Sequence, residues 1–101
     1  MRVFFIKEIS GTSLVDLIND ASGDEVIQEL ILQVKEDASI TLKGSAIDNG
    51  DKFTVSAIAQ NGLSVVNEIT SAGLYIVPVE GMSSLELTVG GNASIVVKAI
   101  G

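Results

Sequence analysis

Carboxylates are the side chains with which this chain could do chemistry, because it has thirteen Asp and Glu residues and neither histidine nor cysteine. Ser-His-Asp triads, Cys-His nucleophiles and Cys/His zinc sites are therefore excluded. A pair of carboxylates could still hydrolyse a glycosidic bond, since that reaction needs only two acids at a suitable separation. Most of the acids fall in predicted turns or on polar strand faces, where solvated surface charge is the simpler interpretation. The sequence predicts that the protein is not an enzyme and needs no cofactor.

Two groups of hard oxygen ligands could hold a calcium ion. One is Asp48-Asn49-Gly50-Asp51, and the other is Asp20 with Asp24 and Glu25. Neither has the wider ligand spacing of a calcium-binding loop, so a hairpin tip and an ordinary loop are the favoured interpretations. No metal site is predicted.

Two further features could bind a ligand but are better explained by structure. Gly90-Gly91 has no predicted helix after it and no basic neighbour, which argues against a phosphate-binding loop. Tyr75 could stack on a sugar ring, but a chain with 4% aromatic residues cannot supply the several exposed rings of a carbohydrate-binding face. A position in the core, or next to a cross-strand partner, is expected for Tyr75.

The charge and hydropathy of the chain limit its partners. A net charge of −7 should repel phosphate backbones, so nucleic-acid binding is not expected. No run approaches the roughly 18 apolar residues of a membrane span, and the N-terminal apolar run is too short and too charged for a signal peptide. We expect a soluble protein that is first present in the cytosol.

Alternating apolar and polar residues predict an all-β chain of eight or nine short strands. The Asn-Gly pairs at Asn49-Gly50 and Asn61-Gly62 and the Gly90-Gly91-Asn92 sequence predict tight turns, and Ser10-Gly11-Thr12 predicts a break. Residues 25–35 also fit helical spacing, so Val26 to Leu32 remains open between strand and helix, although strand is preferred for 30–35. The predicted strands are 2–9, 13–18, 30–35, 38–46, 53–60, 63–69, 74–79, 85–89 and 94–100.

The spacing of these strands predicts one domain, residues 1–101, folded as a single antiparallel β-sandwich of the jelly-roll type. Residues 1–9 could form an N-terminal arm or an edge strand. Three runs are apolar on both faces, namely Phe4–Ile6, Val26–Leu32 and Leu74–Val79. A domain of this size cannot bury two faces everywhere, so an exposed apolar surface for a partner is expected. Pro78 cannot donate to a strand ladder, which predicts an edge or irregular pairing there. The predicted partner interface consists of Val3, Phe4, Phe5, Ile6, Tyr75 and Pro78.

The C-terminal two thirds of the chain carry a recognisable pattern. Its segments are Ile40-Thr41-Leu42-Lys43-Gly44-Ser45, Ile69-Thr70-Ser71-Ala72-Gly73-Leu74-Tyr75, Val77-Pro78-Val79-Glu80-Gly81-Met82-Ser83-Ser84-Leu85 and Ser94-Ile95-Val96-Val97-Lys98. Residues 30–101 thereby resemble the small β-sandwich structural and accessory proteins of tailed bacteriophages, of head-decoration or fibre-associated type. The resemblance departs from the family at Leu85-Glu86-Leu87-Thr88-Val89, where those modules often carry an Arg-rich strand, and it transfers no functional residue.

The resemblance implies a virion structural protein, most specifically a capsid-decoration subunit that stabilises the shell through oligomeric surface contacts. Its partners would be copies of itself, with a trimer as one option, and the major capsid protein. It would be located on the outer capsid surface after synthesis in the host cytoplasm. The alternative is a tail- or fibre-associated module that binds a cell-surface glycan or receptor through its hairpin loops.

Overall fold

The computed structural model describes residues 2–17, 27–47 and 50–101, and these residues form eight β-strands and no helix. This confirms the all-β class. No helix in the described ranges is long and apolar enough to cross a membrane. The strands are β1 Val3–Asp16, β2 Glu29–Val34, β3 Ile40–Ser45, β4 Phe53–Thr54, β5 Ala57–Ala59, β6 Ser64–Val66, β7 Gly73–Pro78 and β8 Ser84–Ile100.

All eight strands belong to one antiparallel sheet organised around β8. The strand β1 pairs with β8 along most of its length. On its other side, β8 pairs with β3 through its N-terminal half and with β2 through its C-terminal half. The sheet continues from β3 to β4, and from β2 through β7 and β5 to β6. The sheet as a whole is curled into a half-barrel.

The two-sheet jelly-roll sandwich expected from the sequence is therefore not what the described strands form. The reason lies in two glycine sites, at which the chain bends instead of reversing. The strand β8 continues without interruption through Gly90-Gly91-Asn92, and β1 continues through Ser10-Gly11-Thr12. Because both long strands pass from one half of the molecule to the other, the two halves remain hydrogen-bonded as one sheet.

The bends of β1 and β8 lie beside each other. The register between the strands shifts from Ser10 opposite Ser94 to Gly11 opposite Val89, so four residues of β8 have no partner on β1. Gly11 and Gly91 have φ angles of 62° and 69°, a left-handed conformation that glycine adopts at little cost. The predictions of a turn at residues 90–92 and of a break at residues 10–12 were wrong for this reason.

Replacing Gly91 by Ala should destabilise the fold by about 1–2 kcal/mol, the cost of a left-handed conformation for a residue with a Cβ. A Cβ at this position would meet nothing within 4 Å, so the cost would be conformational and not steric. Urea unfolding of Gly91→Ala would measure it. Asn92→Ala, an exposed neighbouring change, should stay within about 0.5 kcal/mol of the wild type. Equal stabilities of the two variants would argue against the bend.

One face of the curled sheet, which we call the inner face, encloses the core. Alternate residues of β8 contribute to this face from both halves of the molecule. Curling brings the two halves of the inner face together, so the buried side chains form one cluster. Its fully buried members include Leu30, Leu32, Ile40, Leu42, Ile69, Val77, Leu85, Leu87, Ile95 and Val97.

The remaining strand predictions are confirmed in part. The ambiguous segment is strand from Glu29 to Val34, with Ile27 and Gln28 before it; Val26 lies outside the described residues. The predicted strand 53–60 is instead two short strands, β4 and β5, because β4 pairs with β3 while β5 pairs with β7 and β6. Of the residues that were considered as calcium ligands and set aside, Asp20, Asp24, Glu25, Asp48 and Asn49 lie outside the described residues.

The predicted Asn61-Gly62 hairpin exists, and it joins β5 to β6. Its turn differs from the expected two-residue type, because four residues separate Ala59 from its partner Ser64. The positive φ angles occur at Gly62 and Leu63, at 83° and 55°. The hairpin therefore presents Leu63 in a conformation that non-glycine residues rarely adopt.

Candidate interaction surface

One row of paired residues crosses six strands on the outer face of the sheet. Directly opposite residues in antiparallel strands share a face, so the row can be followed from the register alone. Five of its six members are β-branched apolar residues. With neighbouring strands about 4.8 Å apart, the row is about 24 Å wide. In order from β1 to β6 it consists of Ile6, Lys98, Ile31, Ile76, Ile58 and Val65.

The rows on either side extend this surface. Ile100, paired with both Val3 and Glu29, begins one row, and Pro78 follows on β7. The other row contains Val96 and Leu74, separated by Gln33. We call the apolar members of the three rows the apolar outer face. They are Val3, Ile6, Ile31, Ile58, Val65, Leu74, Ile76, Pro78, Val96 and Ile100.

Several side chains of the apolar outer face are largely accessible to solvent. Ile6 is 63% exposed, Val65 is 67% exposed and Leu74 is 49% exposed. Between them, Ile31, Ile58 and Ile76 are half-buried. Contiguous exposed apolar surface of this kind marks partner surfaces in soluble proteins. The observation agrees with the expectation that runs apolar on both faces would leave one face uncovered.

The other half of the molecule provides an internal comparison, because its outer face is mostly polar. Thr12, Thr88 and Thr41 are paired across β1, β8 and β3, and the hydroxyl oxygens of Thr12 and Thr88 are 3.3 Å apart. The adjacent row places Glu86 opposite Lys43. The outer side of β8 is thus polar in one half, whereas in the other half it carries Val96 and Ile100 beside Ser94 and Lys98. General hydrophobicity of the chain cannot produce this asymmetry.

Charged side chains are few on the apolar outer face. Glu8, at its border, accepts a hydrogen bond of 2.9 Å from the Ser94 hydroxyl. Lys98 and Glu29 are both half-buried, and they lie diagonally across from each other because Lys98 is paired with Ile31, two residues beyond Glu29 on β2. Within the described part of the chain, neither has a hydrogen-bonding or ionic partner.

The structure divides the six interface residues predicted from the sequence. Val3, Ile6 and Pro78 belong to the apolar outer face. Phe4 and Phe5 are partly buried against the core, with the Lys7 ammonium 4.7 Å from the centre of the Phe5 ring. Tyr75 is buried, and its hydroxyl donates a 2.8 Å hydrogen bond to the Ser71 carbonyl.

Pro78 and Tyr75 both follow the structural expectations made for them. Tyr75 is a core residue, as the scarcity of aromatic rings suggested. Pro78 is the last residue of β7, beyond the two β7 residues that pair with β5, so its missing N–H breaks no ladder on that side.

Sequence reasoning missed Ile31, Ile58, Val65 and Ile76 as surface residues. Ile31 and Ile76 belong to runs that were noted as apolar on both faces, which was a usable signal. Their alignment into one row depends on how β2 pairs with β7 and β8, and the sequence alone does not state that pairing.

The outer edge of β1 is a second feature that can receive a partner. Among the described strands, β1 pairs only with β8. Arg2 and Gly101 exchange two backbone hydrogen bonds of 2.8 Å, and the Leu17 N–H donates to the Ser83 carbonyl. In an antiparallel ladder every second residue directs its N–H toward the partner strand. Because Leu17 does so, Ser13 and Val15 also face β8, and the backbone N–H groups of Thr12 and Leu14 point away from it. Such an edge can pair with another strand.

Metal chemistry receives no support from the described residues, which include no group of three or more acids that could hold an ion. The described residues present two surface features, the apolar outer face and the outer edge of β1.

The fold is similar to that of two solved structures. The SPBc2 prophage-derived protein YomS aligns with 100% of this chain and 99% of its own, with a TM-score of 0.62 and 11% sequence identity. The PBSX exported protein XepA aligns with 98% of this chain, with a TM-score of 0.65 and 13% identity, and this chain spans 39% of its length. At these identities the likeness is one of fold.

No protein-family model matches the sequence. Comparison with curated proteins also gives no significant relative.

Proposed function

We propose that this chain is a bacteriophage virion structural protein, and more specifically a capsid-decoration subunit that stabilises the shell through many weak surface contacts. The observation that carries the proposal is the apolar outer face, which is confined to one half of a sheet whose other half is mostly polar outside. A structural role for such a surface is contact with another protein. The full-length likeness in fold to a prophage-derived protein supports the assignment to a phage.

The proposed role requires no catalysis and no cofactor. The partners are further copies of the chain and the major capsid protein, and the site of action is the outer surface of the capsid, reached after synthesis in the host cytoplasm. Repetition over a shell makes weak individual contacts sufficient, since many copies bound at once act together.

We assign attachment to the shell to the open edge of β1. Pairing of an extended capsid segment with this edge would use backbone hydrogen bonds for affinity. Residues 3–9 are already part of β1, and Ile9 is buried in the core. Deletion of the segment would therefore damage the fold, and substitutions are the better test.

Leu14→Pro should weaken binding to undecorated capsids at least tenfold while the fold is retained. Leu14 is exposed and its N–H points away from β8, so proline at this edge position costs no existing ladder bond. Ser13→Pro is the matched comparison on the side that faces β8. It removes an N–H that is directed toward β8 and should destabilise the domain by about 1–3 kcal/mol. Co-sedimentation with capsids and thermal unfolding would measure the two effects.

Capsid binding by Leu14→Pro at wild-type strength would rule out strand addition at β1. Leu14→Ala serves as the control for the side chain, because it keeps the N–H and should bind like the wild type.

A second candidate function is recognition of a cell-surface glycan or receptor by a tail- or fibre-associated module. The β5–β6 hairpin favours it, because Leu63 is 68% exposed and held in the left-handed conformation. A strained, exposed residue at a loop tip can reflect selection for binding. Binding of the isolated protein to a glycan array, abolished by Asn61→Ala or Leu63→Ala, would favour this function over decoration. Of the second predicted tip, Asn49 lies outside the described residues.

A further inference from the structure

We infer that the apolar outer face docks against the same face of a second copy of this chain, about a two-fold axis. The inference deepens the proposed function, on which it rests for its biological meaning, by naming the partner of that surface. It is carried by the two charged residues within the face and by their arrangement.

Lys98 and Glu29 are half-buried among isoleucines without a counter-ion from the described residues. A charge that is partly withdrawn from water in apolar surroundings is unfavourable unless an opposite charge compensates it. The two side chains do not pair with each other within one copy, and a partner that offers a carboxylate opposite Lys98 and a cation opposite Glu29 would compensate both charges. The face carries one such pair, so a second copy offers both counter-charges.

The geometry of the rows suits a two-fold arrangement. An isologous interface requires that residue i of one copy contacts residue j of the other, and the reverse. Lys98, Ile31, Glu29 and Ile100 form a four-residue square on β8 and β2, with Lys98 and Glu29 at opposite corners. A two-fold axis that lies in the plane of the face and bisects this diagonal at right angles places Lys98 of each copy opposite Glu29 of the other. The other corners, Ile31 and Ile100, then lie near the axis, where each packs against its own equivalent.

The surface is small for such a contact, roughly 340 Å² per copy against the roughly 800 Å² per partner of a standard interface, so a weak dimer that forms at high concentration is expected. The central row is about 24 Å wide, and three rows at the spacing of alternate strand residues add about 14 Å along the strands. Two sheets can pack through faces of this kind with interlocking side chains. The overall charge of −7 opposes association of two copies, but within the contact the two cross-pairs are neutral.

A charge-reversal cycle tests the inference with the purified full chain. Sedimentation velocity over a concentration series should show a dimer for the wild type. Lys98→Glu and Glu29→Lys should each weaken the dimer at least tenfold, because each places like charges opposite each other twice. The double variant Lys98→Glu with Glu29→Lys restores opposite charges and should recover most of the affinity. Lys43→Glu, on the polar outer face of the other half, is the matched control and should leave the dimer unchanged.

Ile76→Glu provides a second test of the dimer, because it places a charge in the apolar row without touching the core. This variant should be a monomer. Thr41→Glu, its counterpart on the polar half, should still dimerise. Circular dichroism and thermal unfolding of each variant separate loss of association from loss of fold.

A wild type that stays monomeric at every concentration would overturn the inference. So would single reversals that associate as strongly as the wild type, or a trimer that Ile76→Glu leaves intact. These outcomes are distinct from a failure of the proposed function, because a chain that is monomeric in solution but binds capsids through β1 would keep the decoration role. Conversely, dimerisation with no capsid binding would remove that role alone.

Discussion

Replacing Leu87 by Asp should remove much of the stability of the fold, whereas Thr88→Asp should leave it nearly unchanged. The two residues are neighbours on β8, the strand that pairs with β1, β2 and β3. Leu87 lies on the inner face with 0% exposure, and Thr88 lies on the polar outer face. A carboxylate at residue 87 would be withdrawn from water without a partner, and it would also leave the space of the Leu side chain unfilled.

The expected cost of Leu87→Asp is at least about 4–5 kcal/mol, the range reached by buried unpaired charges. That cost approaches the total stability of a small domain, about 5–15 kcal/mol. Thr88→Asp should cost no more than about 1 kcal/mol, the span of strand preferences at solvent-facing positions. Far-ultraviolet circular dichroism and urea unfolding would decide. A Leu87→Asp variant that is as stable as Thr88→Asp would contradict the assignment of the inner face.

The second large effect is expected at Tyr75, the only tyrosine in the chain. Tyr75→Ala should destabilise the fold by about 3–5 kcal/mol, the usual cost of removing a buried aromatic ring. Tyr75→Phe keeps the ring and removes only the hydrogen bond to the Ser71 carbonyl, so it should cost about 1 kcal/mol. Urea unfolding of the two variants separates packing from hydrogen bonding.

Leu74→Ala is the matched control for Tyr75→Ala, because Leu74 precedes Tyr75 on β7 and is directed outward. It should cost less than about 1 kcal/mol. If Tyr75→Phe were as destabilising as Tyr75→Ala, the hydroxyl and not the ring would be the source of stability, contrary to the burial that the structure shows.

Strand positions were largely readable from the sequence because alternation of apolar and polar residues follows directly from the geometry of a strand. Residues such as Leu30, Leu32 and Val34 alternate in the sequence and are buried in the structure. The wrong predictions of a break at Gly11 and a turn at Gly91 have a physical cause. A glycine permits a reversal or a bend equally well, and the choice depends on the strand alongside, which in both cases bends at the same place.

The candidate surface was predictable in kind but not in extent. Apolar residues on both faces of the runs containing Ile6, Ile31 and Ile76 indicated that one face would remain uncovered. That these three residues lie in one row follows from the register of β8 with β1 and β2, and of β2 with β7. Register is a property of pairs of strands, so a pattern within one strand does not contain it. Tyr75 was assigned to the interface because its run is apolar, but it occupies the inner side of that run.

The proposed function thus uses two surfaces with different chemistry. The apolar outer face offers side chains and would join copies of the chain, while the edge of β1 offers backbone groups and would join the chain to a shell. Because the two do not share the residues substituted in their tests, Leu14→Pro should retain the dimer and Ile76→Glu should retain the open edge.

The most direct test of the central claim is the solvent exposure of isoleucine methyl groups, measured by nuclear magnetic resonance with a soluble paramagnetic agent at low and high protein concentration. At low concentration the agent should broaden Ile31, Ile58 and Ile76 and spare the buried Ile40, Ile69 and Ile95. At high concentration the first group should become protected, while Ile47, exposed elsewhere, should remain broadened. If Ile31, Ile58 and Ile76 stay equally broadened at every concentration, the apolar outer face is not the contact between copies.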